Sequence, residues 1–101
     1  MLYFCSMDLE EIFKALSNKN RIQFLNWLKT PELFFPDQQE SFKTGVCVGQ
    51  IQQKSGQTIS TVSVHLALLQ KAGLLTSIRK GKWIYYKRNE ERIAELADLI
   101  I

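Results

Sequence analysis

Few residues in this chain suit catalysis or metal chemistry. It holds one histidine, His65, and two cysteines, Cys5 and Cys47. A closed zinc site wants four ligands, usually Cys and His. These three side chains, far apart in sequence, cannot supply them, so no metal and no cofactor is expected. The cysteines have no disulfide-framework spacing, which fits a reducing cytoplasm. There is no glycine-rich loop to cradle a phosphate, no zinc-protease motif and no nucleophile elbow, so an enzyme is not expected. No apolar run approaches the roughly 18 residues of a membrane span. Repeats and low-complexity tracts are also missing. Residues 1–6 are apolar but too short and uncharged for a signal peptide. Met7 is an alternative start, in which case the first six residues are an ill-defined extension and Cys5 loses most of its interest; residues 1–7 together read as a disordered extension of the domain.

The length of 101 residues is that of one small domain, spanning 1–101, near the lower end of self-sufficiency. A net charge of +3 is a mild bias. Its placement says more: Lys71, Arg79, Lys80, Lys82, Lys87 and Arg88 fall in one short stretch. A local cationic patch of this kind suits a phosphate backbone.

Helix signals divide the chain. Asp8, with Glu11 at capping-box spacing, opens a helix over Leu9–Leu16, and Met7 with Ile12 could form a hydrophobic staple. Leu9, Ile12, Phe13 and Leu16 make its apolar stripe. Asn18 caps a second helix over Lys19–Lys29, with Ile22, Leu25 and Leu28 inward and Phe24 and Trp27 widening that face. Pro31 stops it. Residues 31–45 read as a loop insertion whose Leu33, Phe34, Phe35 and Phe42 pack back on the domain or on a partner. A short third helix is expected near Val46–Lys54, with Val48 and Ile51 inward, and Gly56 ends it. Thr58 caps a fourth helix running to about Ala72, with Val62, Leu66 and Leu69 buried. Ile78, Trp83, Ile84, Tyr85 and Tyr86 favour strands around a turn at Gly81. Asn89 caps a last helix, Glu90–Ile101. The fold class is therefore mainly α with a small β-hairpin: a winged helix-turn-helix of five helices and a two-stranded wing.

On the fourth helix, Ser60, Thr61, Val64 and Lys71 lie outward, with Ser63 and Ala67 flanking. Small hydroxylated side chains let a helix settle into a major groove about 12 Å wide. A merely solvated face would favour Glu and Lys, which are better helix formers. Arg79, Lys80 and Lys82 at the hairpin tip suit phosphate contact or minor-groove insertion; the plain alternative is charge that keeps a hairpin soluble. His65 reads as a packed, hydrogen-bonded residue. Cys47, between two valines, reads as a structural thiol, with a sensor thiol as the functional alternative. The first and last helices each present an apolar stripe, and pairing with a second copy would bury both. Leu9, Ile12, Phe13, Ile93, Leu96, Ala97 and Ile100 are the candidate dimer residues.

Three stretches resemble the ArsR/SmtB-type transcriptional repressors. Phe13 to Leu25 is similar to the family's opening pattern, ALSDPTRLRIL. Val46 to Ile51 is similar to its VCVCDL segment. Ser60 to Leu74, followed by Arg79 to Tyr86, resembles its recognition helix and wing. The resemblance implies a homodimer built on the terminal helices and bound to a partly palindromic operator. It also implies that Ile59, Ser60, Ser63 and Val64 face DNA, although the helical wheel turns Ile59 inward. The sensing residues depart from the family. Gly49 stands where metal sensors often have a second cysteine, the last helix lacks the histidines and paired acids of the zinc-sensing type, and residues 31–45 are longer than in compact members. The metal-sensing role therefore does not carry over.

The expected function is a sequence-specific, DNA-binding transcriptional regulator, a homodimeric repressor released by an unidentified effector. Its partners would be double-stranded DNA and a second copy of itself, in the cytoplasm and away from membranes. The DNA-binding set is Thr58, Ile59, Ser60, Thr61, Ser63, Val64, Lys71, Arg79, Lys80 and Lys82. The alternative is a winged-helix module that binds protein or RNA, using the aromatics of residues 33–42. A thiol switch at Cys47 is a subclass of the first reading.

Overall fold

The structure is a computed structural model that describes residues 8–100. Met7, with its proposed staple, and Cys5 lie outside the described residues. Helix α1 spans Leu9–Leu16, and its Asp8 cap accepts the Glu11 amide at 3.1 Å. Helix α2 spans Lys19–Lys29, and Asn18 accepts the amides of Asn20 and Arg21. Both caps meet amides that an α-helix leaves without intrahelical partners. Phe24, Leu25, Trp27 and Leu28 are buried as expected, but Ile22 is exposed. Arg21 is buried beside them, an unexpected cation on the inner face.

The stretch expected to be a loop begins with a one-turn helix, α3, Pro31–Phe34. Proline at its first position costs nothing, since the amide it lacks would be unpaired there anyway. Phe35 is buried edge-on to Trp27 at 6.2 Å, and Phe34 and Phe42 pack on the core. Leu33 does not pack back: it is 72% exposed.

Val46–Cys47 form a strand, β1, rather than the start of a helix. They pair antiparallel with Tyr86 and Tyr85. Gly45 permits this approach: its φ is 118°, and a Cβ there would meet the Tyr86 carbonyl oxygen at 2.7 Å. Helix α4 spans Val48–Ser55 and ends at Gly56 in the left-handed conformation. Helix α5 spans Ile59–Lys71, with Thr58 capping the Thr61 amide. Strands β2, Leu75–Lys80, and β3, Trp83–Arg88, form the hairpin around Gly81. Helix α6 spans Glu90–Ile100, and Asn89 accepts the Arg92 amide at 3.2 Å. The described residues thus hold six helices and a three-stranded antiparallel sheet in the order β1-β3-β2, not five helices and two strands.

The core forms around α5. Val62, Leu66 and Leu69 are fully buried among Ile12, Phe24, Ile51, Leu74 and Leu75. Burying the inner stripe so completely fixes which side of α5 faces outward. Ile12 and Leu96, two of the candidate dimer residues, are buried in this same core. A domain this small needs the stripes of α1 and α6 to complete its own interior.

Candidate nucleic-acid interface

The turn between α4 and α5 is tightly tied. Gln52 donates its side-chain amide to the Gln57 carbonyl at 2.9 Å. Ser55 Oγ donates to the Gln52 carbonyl and accepts the Gln57 amide. The outer face of α5 starts from this fixed corner. Thr58, Ile59, Ser60, Thr61, Ser63, Val64 and Lys71 are all exposed. Ile59, placed inward by the wheel, is 49% exposed. It is the first residue of α5, and the buried stripe begins one turn later, at Val62. Thr58 Oγ1 donates to Thr61 Oγ1 at 3.0 Å, so these two hydroxyls serve the cap. Ser60 and Ser63 stand outside that cap.

Beneath the helix lies a polar couple. The Arg21 guanidinium donates to the carbonyls of Ala15 at 2.7 Å and Lys14 at 3.3 Å, and to His65 Nδ1 at 3.1 Å. A guanidinium can only donate, so Nδ1 must accept, and the neutral ring carries its proton on Nε2. Burial, and then the charge of Arg21, hold the His65 pKa below its ordinary value of 6.5. His65 is thus packed and hydrogen-bonded, tying α5 to α1 and α2. Sequence reasoning missed Arg21. The signal was its spacing, because Arg21, Leu25 and Leu28 share one helical stripe.

Half of the cationic patch is neutralised by carboxylates of the protein itself. Lys71 pairs with Glu11 at 3.3 Å, Lys80 with Glu40 at 2.7 Å and Arg88 with Glu90 at 2.9 Å. Lys87 donates to the Lys43 carbonyl at 3.1 Å. Of the six clustered cations, Arg79 and Lys82 remain without a carboxylate or carbonyl partner among the described residues. Lys82 leans over the Trp83 ring at 5.8 Å, and Gln70 of α5 donates to Ser77 of β2 at 3.0 Å. Trp83 itself is half exposed, while Tyr85 is buried.

Cys47 is partly buried in the wall of an open cleft of about 390 Å³, with Glu40, Gln50, Gln53, Trp83 and Tyr85 around it. Among the described residues no group of three or more His, Cys, Asp or Glu side chains is placed to hold a metal ion. No described helix is long and apolar enough to cross a membrane.

Of the remaining candidate dimer residues, Phe13, Ala97 and Ile100 are exposed, and Leu9 and Ile93 are partly buried on the core. An apolar groove of about 170 Å³ runs between α2 and α6, lined by Ile22, Leu25, Ile93 and Leu96 among others.

No protein-family model matches the chain. Individual proteins do. It is 49% identical over 96 residues to the uncharacterized HTH-type transcriptional regulator YbzH of Bacillus subtilis, covering 93% of this chain and 96% of that one. It is 32% identical over 84 residues to the arsenical resistance operon repressor of the same organism, covering 83% and 69% of the two chains. The chain belongs to the ArsR-type winged helix-turn-helix transcriptional regulators. Solved structures agree with this. The homodimeric winged helix-turn-helix DNA-binding domain Mb0332 of Mycobacterium bovis, a possible ArsR-family regulator, matches with a TM-score of 0.66 at 27% identity, covering 91% of this chain and 73% of that one. A crystal structure of a possible transcriptional regulatory protein from the same organism matches with a TM-score of 0.67 at 29% identity, covering 91% and 85%. HlyU of Vibrio cholerae shares the fold, with a TM-score of 0.66 at 21% identity, over 94% of this chain and 89% of its own. For an ArsR-type regulator, α4, the tied turn and α5 form the helix-turn-helix, and β2 and β3 form the wing.

Proposed function

We propose that this transcriptional regulator is a homodimeric, cytoplasmic repressor that grips operator DNA with the outer face of α5 and the wing tip. One observation carries the reading: a helix whose inner stripe is fully buried presents small, mostly hydroxylated side chains outward, next to a hairpin tip bearing two cations unpaired among the described residues. Ser60 and Ser63 supply hydrogen bonds to base edges or phosphates. Ile59 and Val64 supply apolar contact of the kind a thymine methyl accepts. Arg79 and Lys82 supply phosphate contacts, which position the protein without reading sequence. Thr58 and Thr61 contribute chiefly through the cap that presents the first turn. Lys71, held by Glu11 at the far end of α5, is a secondary contact.

The dimer of this reading uses the exposed Phe13, Ala97 and Ile100 with the edges of Leu9 and Ile93. Homodimery in the M. bovis neighbour supports it. The alternative docking module loses support, because Phe35 is buried and Phe34 and Phe42 are drawn onto the core.

Selection from a random-sequence duplex library tests the proposal. The expected product is an enriched, partly palindromic site with half-sites about one helical turn (10–10.5 base pairs) apart, or a multiple of it. A library that stays random after repeated rounds at low salt would contradict operator binding.

A further inference from the structure

The two wing cations Arg79 and Lys80 are neighbours in sequence but not in circumstance. Along β2 successive side chains alternate between the faces of the sheet. Lys80 shares its face with Ile78, and across the ladder with Trp83 and Tyr85. That face looks toward residues 37–45, and there the ammonium of Lys80 lies 2.7 Å from Glu40 Oε2.

Glu40 is held where it stands. Thr44 Oγ1 donates to the same carboxylate oxygen at 3.0 Å. The loop that carries it is clamped by Gln38, whose side-chain amide donates to the carbonyls of Glu40 at 3.0 Å and Gly45 at 2.9 Å. The oxygen of that amide accepts the Cys47 amide at 2.9 Å, fixing the loop to β1 and hence to the sheet of the wing. The carboxylate is therefore preset against the wing rather than swinging free. Hydrogen bonding to Lys80, then to Thr44, holds the Glu40 pKa below the usual carboxylate range, and Glu40 raises that of Lys80.

We infer that Glu40 is a built-in competitor for DNA phosphate: it occupies Lys80 in the free protein and thereby lowers the wing's affinity for the duplex. The inference rests on the wing-grip reading above. A phosphate that approaches Lys80 must displace this carboxylate or accept its negative charge nearby. In either case Lys80 contributes less than Arg79 or Lys82. The residues 31–45 insertion then acts as a brake on the wing, and it sets affinity without touching the base-reading helix. Lys80 stays 59% exposed and Glu40 24%, so the pair is accessible enough to exchange partners.

The test uses the full chain and a random-sequence duplex of about 30 base pairs, with affinity followed by fluorescence anisotropy across a salt series. Glu40→Gln keeps the shape and the Thr44 contact but removes the charge. It should bind roughly two- to fivefold tighter, the range set by an exposed ion pair. Its salt slope should steepen by about 0.9, one more phosphate neutralised. In a Lys80→Gln background the same substitution should change neither. Melting temperatures should match, since an exposed pair contributes little to stability. Unchanged or weaker binding by Glu40→Gln overturns the competitor role, as does a Lys80→Gln loss in the Glu40 protein equal to that of Lys82→Gln. Absence of binding in every variant, wild type included, would instead overturn the DNA-grip reading and the competitor with it.

Discussion

Helix α5 and the wing are neighbours in the chain, yet different forces hold them. Helix α5 is held from beneath. Val62, Leu66 and Leu69 are fully buried, and His65 is tied to Arg21 under the same face. The wing is rooted in the core at Leu75 and Tyr85, but its outer part is held from the side by β1 pairing, the Gln70–Ser77 bond and the Lys80–Glu40 pair. Apolar burial is stiff and cooperative, so the position of α5 cannot change without disturbing the whole domain. Exposed polar contacts are each worth little, so the wing can be retuned while the fold stays intact. The molecule thus separates a fixed reading element from an adjustable gripping element.

Leu66→Ala tests the first half of that contrast and should have the largest effect. Emptying a fully buried site should cost about 2–5 kcal/mol, measured by urea denaturation. A loss below about 1 kcal/mol would mean that α5 is not anchored by its core stripe.

A smaller effect is expected from pH. The folded-state pKa of His65 lies below 6.5, so the unfolded chain binds the proton more readily. The stability this residue contributes is fully present above about pH 6.5 and is lost as pH falls through the lowered folded value. Protonation would turn Nδ1 into a donor facing the Arg21 guanidinium. Thermal melts from pH 7.5 down to 4.5 should show this acid-side loss, and His65→Gln should flatten it. An identical pH profile in both proteins would remove the Arg21–His65 couple from the account of how α5 is held.

Most of the fold was legible because its signals are local. Asp8, Asn18, Thr58 and Asn89 cap helices where their side chains suggested, and Gly56 and Gly81 take the positive φ their turns require. What was hidden depends on residues distant in sequence. Strand β1 exists only because Tyr85 and Tyr86 come alongside it. The burial of Ile12 and Leu96 reflects how much of α1 and α6 this small core consumes, which no helical wheel reveals. With Arg88–Glu90 and the Lys87 contact to the Lys43 carbonyl, the ion pairs Lys71–Glu11 and Lys80–Glu40 leave two members of a dense run of cations unpaired among the described residues, and neither of these last two pairs follows from local spacing. The hydroxylated face of α5 was readable from the helical period alone. Ile59 was misplaced because a wheel ignores where the buried stripe begins.

The division of labour between helix and wing meets its most direct test in the salt dependence of DNA binding. Arg79→Ala/Lys82→Ala should leave the melting temperature unchanged and reduce the slope of log K against log salt by about two, at about 0.9 per phosphate contact. Affinity at low salt should fall about tenfold or more, and the selected sequence should remain the same. An unchanged slope and affinity in the double mutant would contradict the wing as the gripping element and with it the account given for this domain.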